Sequence, residues 1–308
     1  MVRRKSIQAI RAEYATKFHV KVPIKSILSK QEKKINMVDS IDSYPPFEVH
    51  FDEQLLHAHA CELDKIYSEI DGYEIARTHR SQLRANGEWA STESLQYGEV
   101  DSFSFAKLVA ELVKMHTKSQ ENSLHFLDIG AGTGKAILSA AICGYFKTCI
   151  GFEIVPNLSD AANQAIIAAT KNLKLQAGKV ASCVNGTSKM ISFCRSCLPS
   201  DEPASSDLNA DDVKHIWQQS DVFFAPITCF ELEVLHQVVR AMISSLKSGA
   251  LVITTSTITR LDKLAQELLH REASPAVRVK GSRPFQFLEE KRIKYGKGTM
   301  TFFLFRKC

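Results

Sequence analysis

The chain has 308 residues, 44% of them hydrophobic and 24% charged, enough to bury a full core in one large or two modest domains. No apolar run is long enough to span a bilayer, and eight cysteines without framework spacing argue for reduced thiols in an intracellular protein. The net charge of +5 is uneven: residues 1–34 carry ten Lys/Arg against Glu13 and Glu32, a net of +8, which leaves −3 for the rest.

Residues 1–45 read as a basic, flexible arm suited to a polyanionic partner, either nucleic acid or an acidic protein face. The same arm is acid-poor and places Ile7, Ile10, Tyr14 and Phe18 near one helical face, which also describes a mitochondrial presequence. Plain solvated disorder is the third reading. After Pro45 and Pro46, residues 47–86 show helical spacing at Leu55, Leu56, Leu63, Ile66 and Ile70, with a turn at Asp71 and Gly72. Residues 46–96 are therefore expected to form a helical lead-in to a larger domain at 97–308. A further helix is predicted over 105–115.

Residues 124–129, LHFLDI, suit a buried parallel strand. Gly130, Gly132 and Gly134 follow at every second position, where missing side chains let the backbone turn and approach a ligand. A helix is predicted over 135–144 and a second strand over 148–152, ending at Glu153. Beyond it come a helix over 157–173, an exposed Ser/Asp/Pro-rich loop over 198–212, strands over 221–225 and 250–256, and a helix over 231–245 between them. Residues 286–295 and 299–306, divided by Gly296, Lys297 and Gly298, predict a terminal β-hairpin. Cys194 and Cys197 form a lone CxxC with no second half, which reads as small buried thiols, and no metal is expected.

The glycine loop chooses among ligand classes by its spacing. A phosphate-binding P-loop needs GxxxxGK followed by Ser or Thr; here Lys135 is followed by Ala136, and Ile129 stands where the first glycine should be. A dinucleotide loop needs GxGxxG, and here the third glycine arrives one residue early. The remaining pattern is DxGxGxG, from Asp128, with an acid after the next strand. That is the arrangement of S-adenosylmethionine (SAM) enzymes of the Rossmann-like class, in which Glu153 would lie beside the ribose. A glycine turn in a ligand-free α/β protein is the bland alternative.

Further motifs flank this core: LQYGEV at residues 95–100, DVFFAPITCFELEVLHQV at 221–238 and GTMTFFLF at 298–305. In this order the chain resembles the non-SET histone H3 lysine methyltransferases, the disruptor-of-telomeric-silencing family, over roughly residues 90–308. The resemblance implies a class I SAM methyltransferase fold, α/β, with a mostly parallel seven-stranded sheet, a C-terminal antiparallel hairpin and N-terminal helices. It implies SAM as cofactor, held by Tyr97, Asp128, Gly130, Gly132, Lys135, Glu153 and the Cys197–Leu198 position. Catalysis would fall to Tyr97 and Glu99 in the closing loop and to Tyr295 and Phe302 near the lysine channel. The partner would be histone H3 in nucleosomes, with nucleic-acid contact through the arm, in a monomeric protein of the nucleus; mitochondrion and cytoplasm are the alternatives.

Two departures stand out. Cys197 occupies the place of an Asp that binds the adenine amine, and Pro226 and Ile227 replace paired Asn in the active-site loop. Methylation of another protein or of RNA is the alternative activity, and a catalytically silent chromatin-binding module is the alternative of a different class.

Overall fold

Five short apolar segments pair side by side as parallel strands and form the frame of the molecule in a computed structural model. The structure describes residues 52–87, 97–117, 123–173, 180–185, 210–255, 261–272 and 283–308. Helices α1 (Glu53–Tyr67), α2 (Gly72–Ala85) and α3 (Ser102–His116) precede β1 (Leu124–Ile129). Then come α4 (Lys135–Ala141), β2 (Phe146–Glu153), α5 (Pro156–Asn172), β3 (Val180–Asn185), α6 (Ala210–Gln219) and β4 (Val222–Ala225). A 3-10 turn (Ile227–Cys229), α7 (Leu232–Ser245), β5 (Leu251–Thr255), α8 (Leu261–Glu272), β6 (Phe285–Tyr295) and β7 (Gly298–Lys307) complete the order.

The seven strands form one sheet in the order β3-β2-β1-β4-β5-β7-β6. Strands β1 to β5 are parallel, and β7 pairs antiparallel with both β5 and β6. This is the α/β class I methyltransferase architecture that the sequence implied. The order reverses between β2 and β4 at β1, so the loop leaving β1 opens onto the crevice where doubly wound sheets bind their ligands.

Local chemistry sets the helix starts. Asp52, Asp71 and Asp101 stand immediately before α1, α2 and α3, and each accepts hydrogen bonds from first-turn N–H groups through its carboxylate. Beneath the helices, Phe105 of α3 meets Phe126 of β1, Phe224 of β4 and Phe302 of β7, with ring centroids 6.3, 4.8 and 6.1 Å away. These rings are buried, and each contributes about 1.5–3 kcal/mol through removal of apolar surface from water. Helix α1 packs on α3 and α5, and α2 packs on α5, within the same compact unit as the sheet.

The elements differ from the sequence reading in three places. Strand β3 and helices α6 and α8 were not anticipated. The predicted loop over 198–212 ends earlier than expected, because Ala210–Asp212 open α6; its remaining residues lie outside the described ones. Val213 and Trp217 supply the buried face of α6. In α8, Leu261, Leu264, Ala265 and Leu268 form the buried stripe. Residues 1–45, the Cys194–Cys197 pair and Leu198 also lie outside the described residues.

Candidate active site

The loop after β1 is built by backbone geometry. Gly130, Gly132 and Gly134 all hold positive φ, at 84°, 57° and 80°, a conformation costly for residues with a Cβ. Space is also short: a Cβ on Gly132 would stand 2.8 Å from Tyr97 Cε2. The N–H groups of Gly130 and Ala131 donate to the carbonyl of Phe152 at 2.8 and 3.0 Å, which folds the loop back onto the end of β2.

Two buried carboxylates flank that loop. Glu153, 6% exposed, accepts from the Gly132 N–H at 2.6 Å and from the Val155 N–H at 2.8 Å. Burial raises its pKa, and these N–H donors oppose the rise. Asp128, 1% exposed, has no hydrogen-bond partner for Oδ1 among the described residues. Burial, and then the neighbouring charge of Glu153, hold its pKa well above the usual carboxylate value. An orphaned carboxylate oxygen in a native core calls for an explanation, and a cationic ligand group is the partner whose chemistry fits it.

Opposite the glycine loop runs the segment Tyr97–Gly98–Glu99. The Tyr97 hydroxyl donates to Glu99 Oε1 and lies 3.0 Å from Thr133 Oγ1, so the segment is fastened to the glycine loop. Burial, followed by the Glu99 charge, raises the Tyr97 pKa and keeps the phenol protonated as a donor. Lys135, at the start of α4, lies 3.6 Å from Glu99 Oε2 and 3.9 Å from Asp64 Oδ1, and its ammonium sits 5.2 Å from the centre of the Tyr67 ring. A cation at a helix N-terminus opposes the helix dipole, and the two carboxylates offset that cost. On the far side, Val100 bridges to Tyr295, and the Gly296 N–H donates to the Glu99 carbonyl at 2.7 Å.

Together these groups line a small solvent-open cleft. Of the residues singled out from sequence, Tyr97, Glu99, Asp128, Gly130, Lys135, Pro226 and Tyr295 line it, and Phe224 also faces it. Glu153 does not line the cleft; its carboxylate is turned under the loop as a brace. Phe302 does not line it either. It is fully buried behind Tyr295, at a ring distance of 6.1 Å, where it packs with Phe105 and Phe224. The family resemblance put both aromatics near the lysine channel; in the structure Tyr295 lines the cleft and Phe302 does not. Cys197 and Leu198 fall outside the described residues.

Pro226 begins the 3-10 turn after β4, and Ile227 is buried beside it, so this wall is apolar where the resembled family carries amides. Thr228 Oγ1 donates to Thr255 Oγ1 at 2.8 Å and ties the turn to β5. Thr133, Asp64 and Tyr67 complete the site but carry no sequence signal, since Tyr67 and Thr133 are 66 positions apart when the Tyr67 hydroxyl donates to the Thr133 carbonyl at 3.0 Å. Among the described residues no His/Cys/Asp/Glu cluster could hold a metal, and no helix is long and apolar enough to cross a membrane.

SAM presents an ammonium at its methionine end. The unpartnered Asp128 oxygen and the open backbone of the glycine loop fit such a group.

Comparison with solved structures finds distant likenesses. Magnesium protoporphyrin IX methyltransferase from Synechocystis, solved with bound SAM, is 11% identical with a TM-score of 0.43, over 76% of this chain and 97% of that one. The N-methyltransferase NodS from Bradyrhizobium japonicum is 12% identical with a TM-score of 0.35, over 66% of this chain and 93% of that one. TrmN from Thermus thermophilus is 14% identical with a TM-score of 0.38, over 66% of this chain and 49% of that one. No curated protein sequence matches. The profile of the histone methylation protein DOT1 family, by contrast, matches residues 73–291, well over half of the chain and the whole of the cleft except the end of its hairpin wall. The chain belongs to the DOT1 family of histone methylation proteins, as a SAM-dependent methyltransferase.

Proposed function

We propose that the protein methylates a lysine side chain on the globular core of histone H3 within nucleosomes. The observation that carries this reading is the pairing, in one cleft, of a carboxylate suited to the cofactor's ammonium with an apolar aromatic wall suited to an acceptor amine. When bound, SAM supplies a methyl group on a sulfonium. The protein's part is alignment and the exclusion of water.

Asp128 and the glycine loop fix one reactant, while Tyr97 and Glu99 close over it. Tyr295, Phe224 and Pro226 form a wall without charge, and desolvation there favours the neutral form of an entering lysine. Asp128 and the glycine loop would hold the cofactor, which would supply its methyl group to the neutral amine while this wall keeps water away. The methylated ammonium then loses a proton to water. No side chain is needed as a general base, and Tyr97 is unsuited to that role because it is held protonated.

In this reading residues 97–308 are the catalytic domain, 46–96 the helical lead-in and 1–45 a basic arm that contacts nucleic acid in the nucleus. Incubation with labelled SAM and, separately, nucleosomes, free histones and bulk RNA tests it. Methylation of nucleosomes well above free histones is expected, since most of the binding energy would come from surfaces that free histones lack. Label on RNA or an unrelated protein with inert nucleosomes would overturn the histone assignment. The Pro226–Ile227 departure favours a second reading, a silent chromatin-binding module, which predicts nucleosome binding with no label transferred to any of the three.

A further inference from the structure

We infer that α1 and α2 form a clamp across the cofactor cleft, α1 holding the glycine-loop jaw and α2 the Tyr97–Glu99 jaw. The inference rests on the reading of this cleft as the SAM site.

Each helix grips a different side. Tyr67 on the last turn of α1 donates to the Thr133 carbonyl at 3.0 Å and lies under the Lys135 ammonium. Asp64, one turn earlier, stands 3.9 Å from Lys135 and accepts from Ser102 Oγ at 2.8 Å. These contacts all fall on the glycine loop and the start of the helix after it, or on α3. Helix α2 begins across a turn capped by Asp71, whose carboxylate accepts from the Glu74 N–H at 2.9 Å. Its first residue, Gly72, is pressed so closely against Tyr97 that an added Cβ would lie 2.6 Å from Tyr97 Cζ and 2.7 Å from Glu99 Oε1. Tyr73 then meets the Tyr97 ring edge-on, with centroids 5.2 Å apart and planes at 86°. Its hydroxyl reaches the hairpin turn, where a Cβ on Gly296 would be 2.7 Å away.

The geometry follows from the short connection. Only residues 68–71 separate the two helices, so the jaws are held at a separation fixed by one tight turn. Tyr73 is 47% exposed, which is high for a ring that belongs to a core and reasonable for one whose contact partner is the closing loop. Its edge-to-face pairing is the sort of contact that orients a ring as well as burying it. Tyr73 and Tyr67 are thus positioning residues: neither lines the cleft, and each acts through a residue that does.

Hydrogen exchange and SAM calorimetry on the full chain test the clamp, with thermal melting as the control for folding. Tyr73→Ala is expected to speed amide exchange over residues 97–101 and to weaken SAM about three- to tenfold, the scale of one aromatic pair. Protection in β1 and β4 should not change. Tyr73→Phe keeps the ring and should restore most of both readouts, which a loss of surface polarity alone would not predict. Tyr67→Phe should loosen residues 130–135 more than 97–101, the reverse of the Tyr73→Ala order, because it releases the other jaw while α2 still holds Tyr97. Wild-type exchange and affinity in Tyr73→Ala would overturn the clamp. So would a uniform loss of protection reaching β1 and β4, since Tyr73 would then be only a brace for the fold. If the wild type binds no SAM, the cofactor reading fails, and the exchange pattern alone decides the clamp.

Discussion

The Gly132 N–H donates to Glu153 Oε2 at 2.6 Å, so the acid that closes β2 holds the glycine loop in place from beneath. A second bond, from the Val155 N–H at 2.8 Å, anchors the same carboxylate to the start of α5. Glu153 therefore joins three segments: the loop after β1, the end of β2 and the helix that follows. Contact with a ribose would be an additional duty for a group already committed to two donors.

Replacement of this acid separates the two roles. Glu153→Ala leaves two buried N–H groups without acceptors and is expected to cost about 1–3 kcal/mol of stability for each unsatisfied group. SAM affinity should fall by about 1.5–3 kcal/mol if the carboxylate also holds the ribose. Comparison of SAM with a ribose-deoxygenated analogue on the wild type isolates the second effect. Equal affinity for both would leave Glu153 as a brace alone.

Asp128 should make stability and ligand affinity respond to pH in opposite directions. Its folded pKa is raised above the ordinary 3.8, so the ligand-free protein is most stable when the group is protonated, and that contribution is lost as pH rises through the raised value. A cationic ligand pairs with the charged form, so SAM affinity should rise over the same interval. Asp128→Asn should flatten both trends and weaken SAM by about 1.5–3 kcal/mol, the range for hydrogen bonds to charged groups. Calorimetry and thermal melting across the acid-to-neutral range provide the check. An unchanged pH slope of affinity in the variant would place the ammonium elsewhere.

Gly132→Ala tests the cradle with the smallest possible side chain. The new methyl would meet Tyr97 at 2.8 Å while φ stays at 57°, so the loop must shift or strain. An αL residue with a Cβ costs about 1–2 kcal/mol before any displacement of Tyr97 is counted. SAM binding should weaken about tenfold or more on that scale, and Gly132→Arg should abolish it. Wild-type affinity in a folded Gly132→Arg protein would put the ligand away from this loop.

Phe302 and Tyr295 stand one behind the other, yet their substitutions should read out differently. Phe302→Ala empties a fully buried position and is expected to cost about 3–5 kcal/mol of stability, visible as a lower melting temperature. Tyr295→Ala removes part of the cleft wall, and turnover should fall more than SAM affinity does. Comparable melting temperatures for the two variants would contradict this division between core and wall.

The sequence by itself determined the parallel strand–loop–helix unit, because apolar runs, glycines at every second position and a terminal acid are local signals whose partners lie within one βαβ connection. It likewise placed the hairpin, through Gly296. It could not separate Tyr295 from Phe302, since both are aromatics on strands of one hairpin, and only the pairing of Val100 with Tyr295 turns one of them toward the cleft. Nor could it find Tyr67, Asp64 and Tyr73, whose partners are distant in the chain and whose residue types carry no motif. The two acids also part company: Asp128 and Glu153 look similar as ligand contacts in sequence, but two backbone donors satisfy Glu153 while Asp128 Oδ1 has none among the described residues. That difference belongs to the packing of loops around a carboxylate, and packing is decided only when the sheet closes.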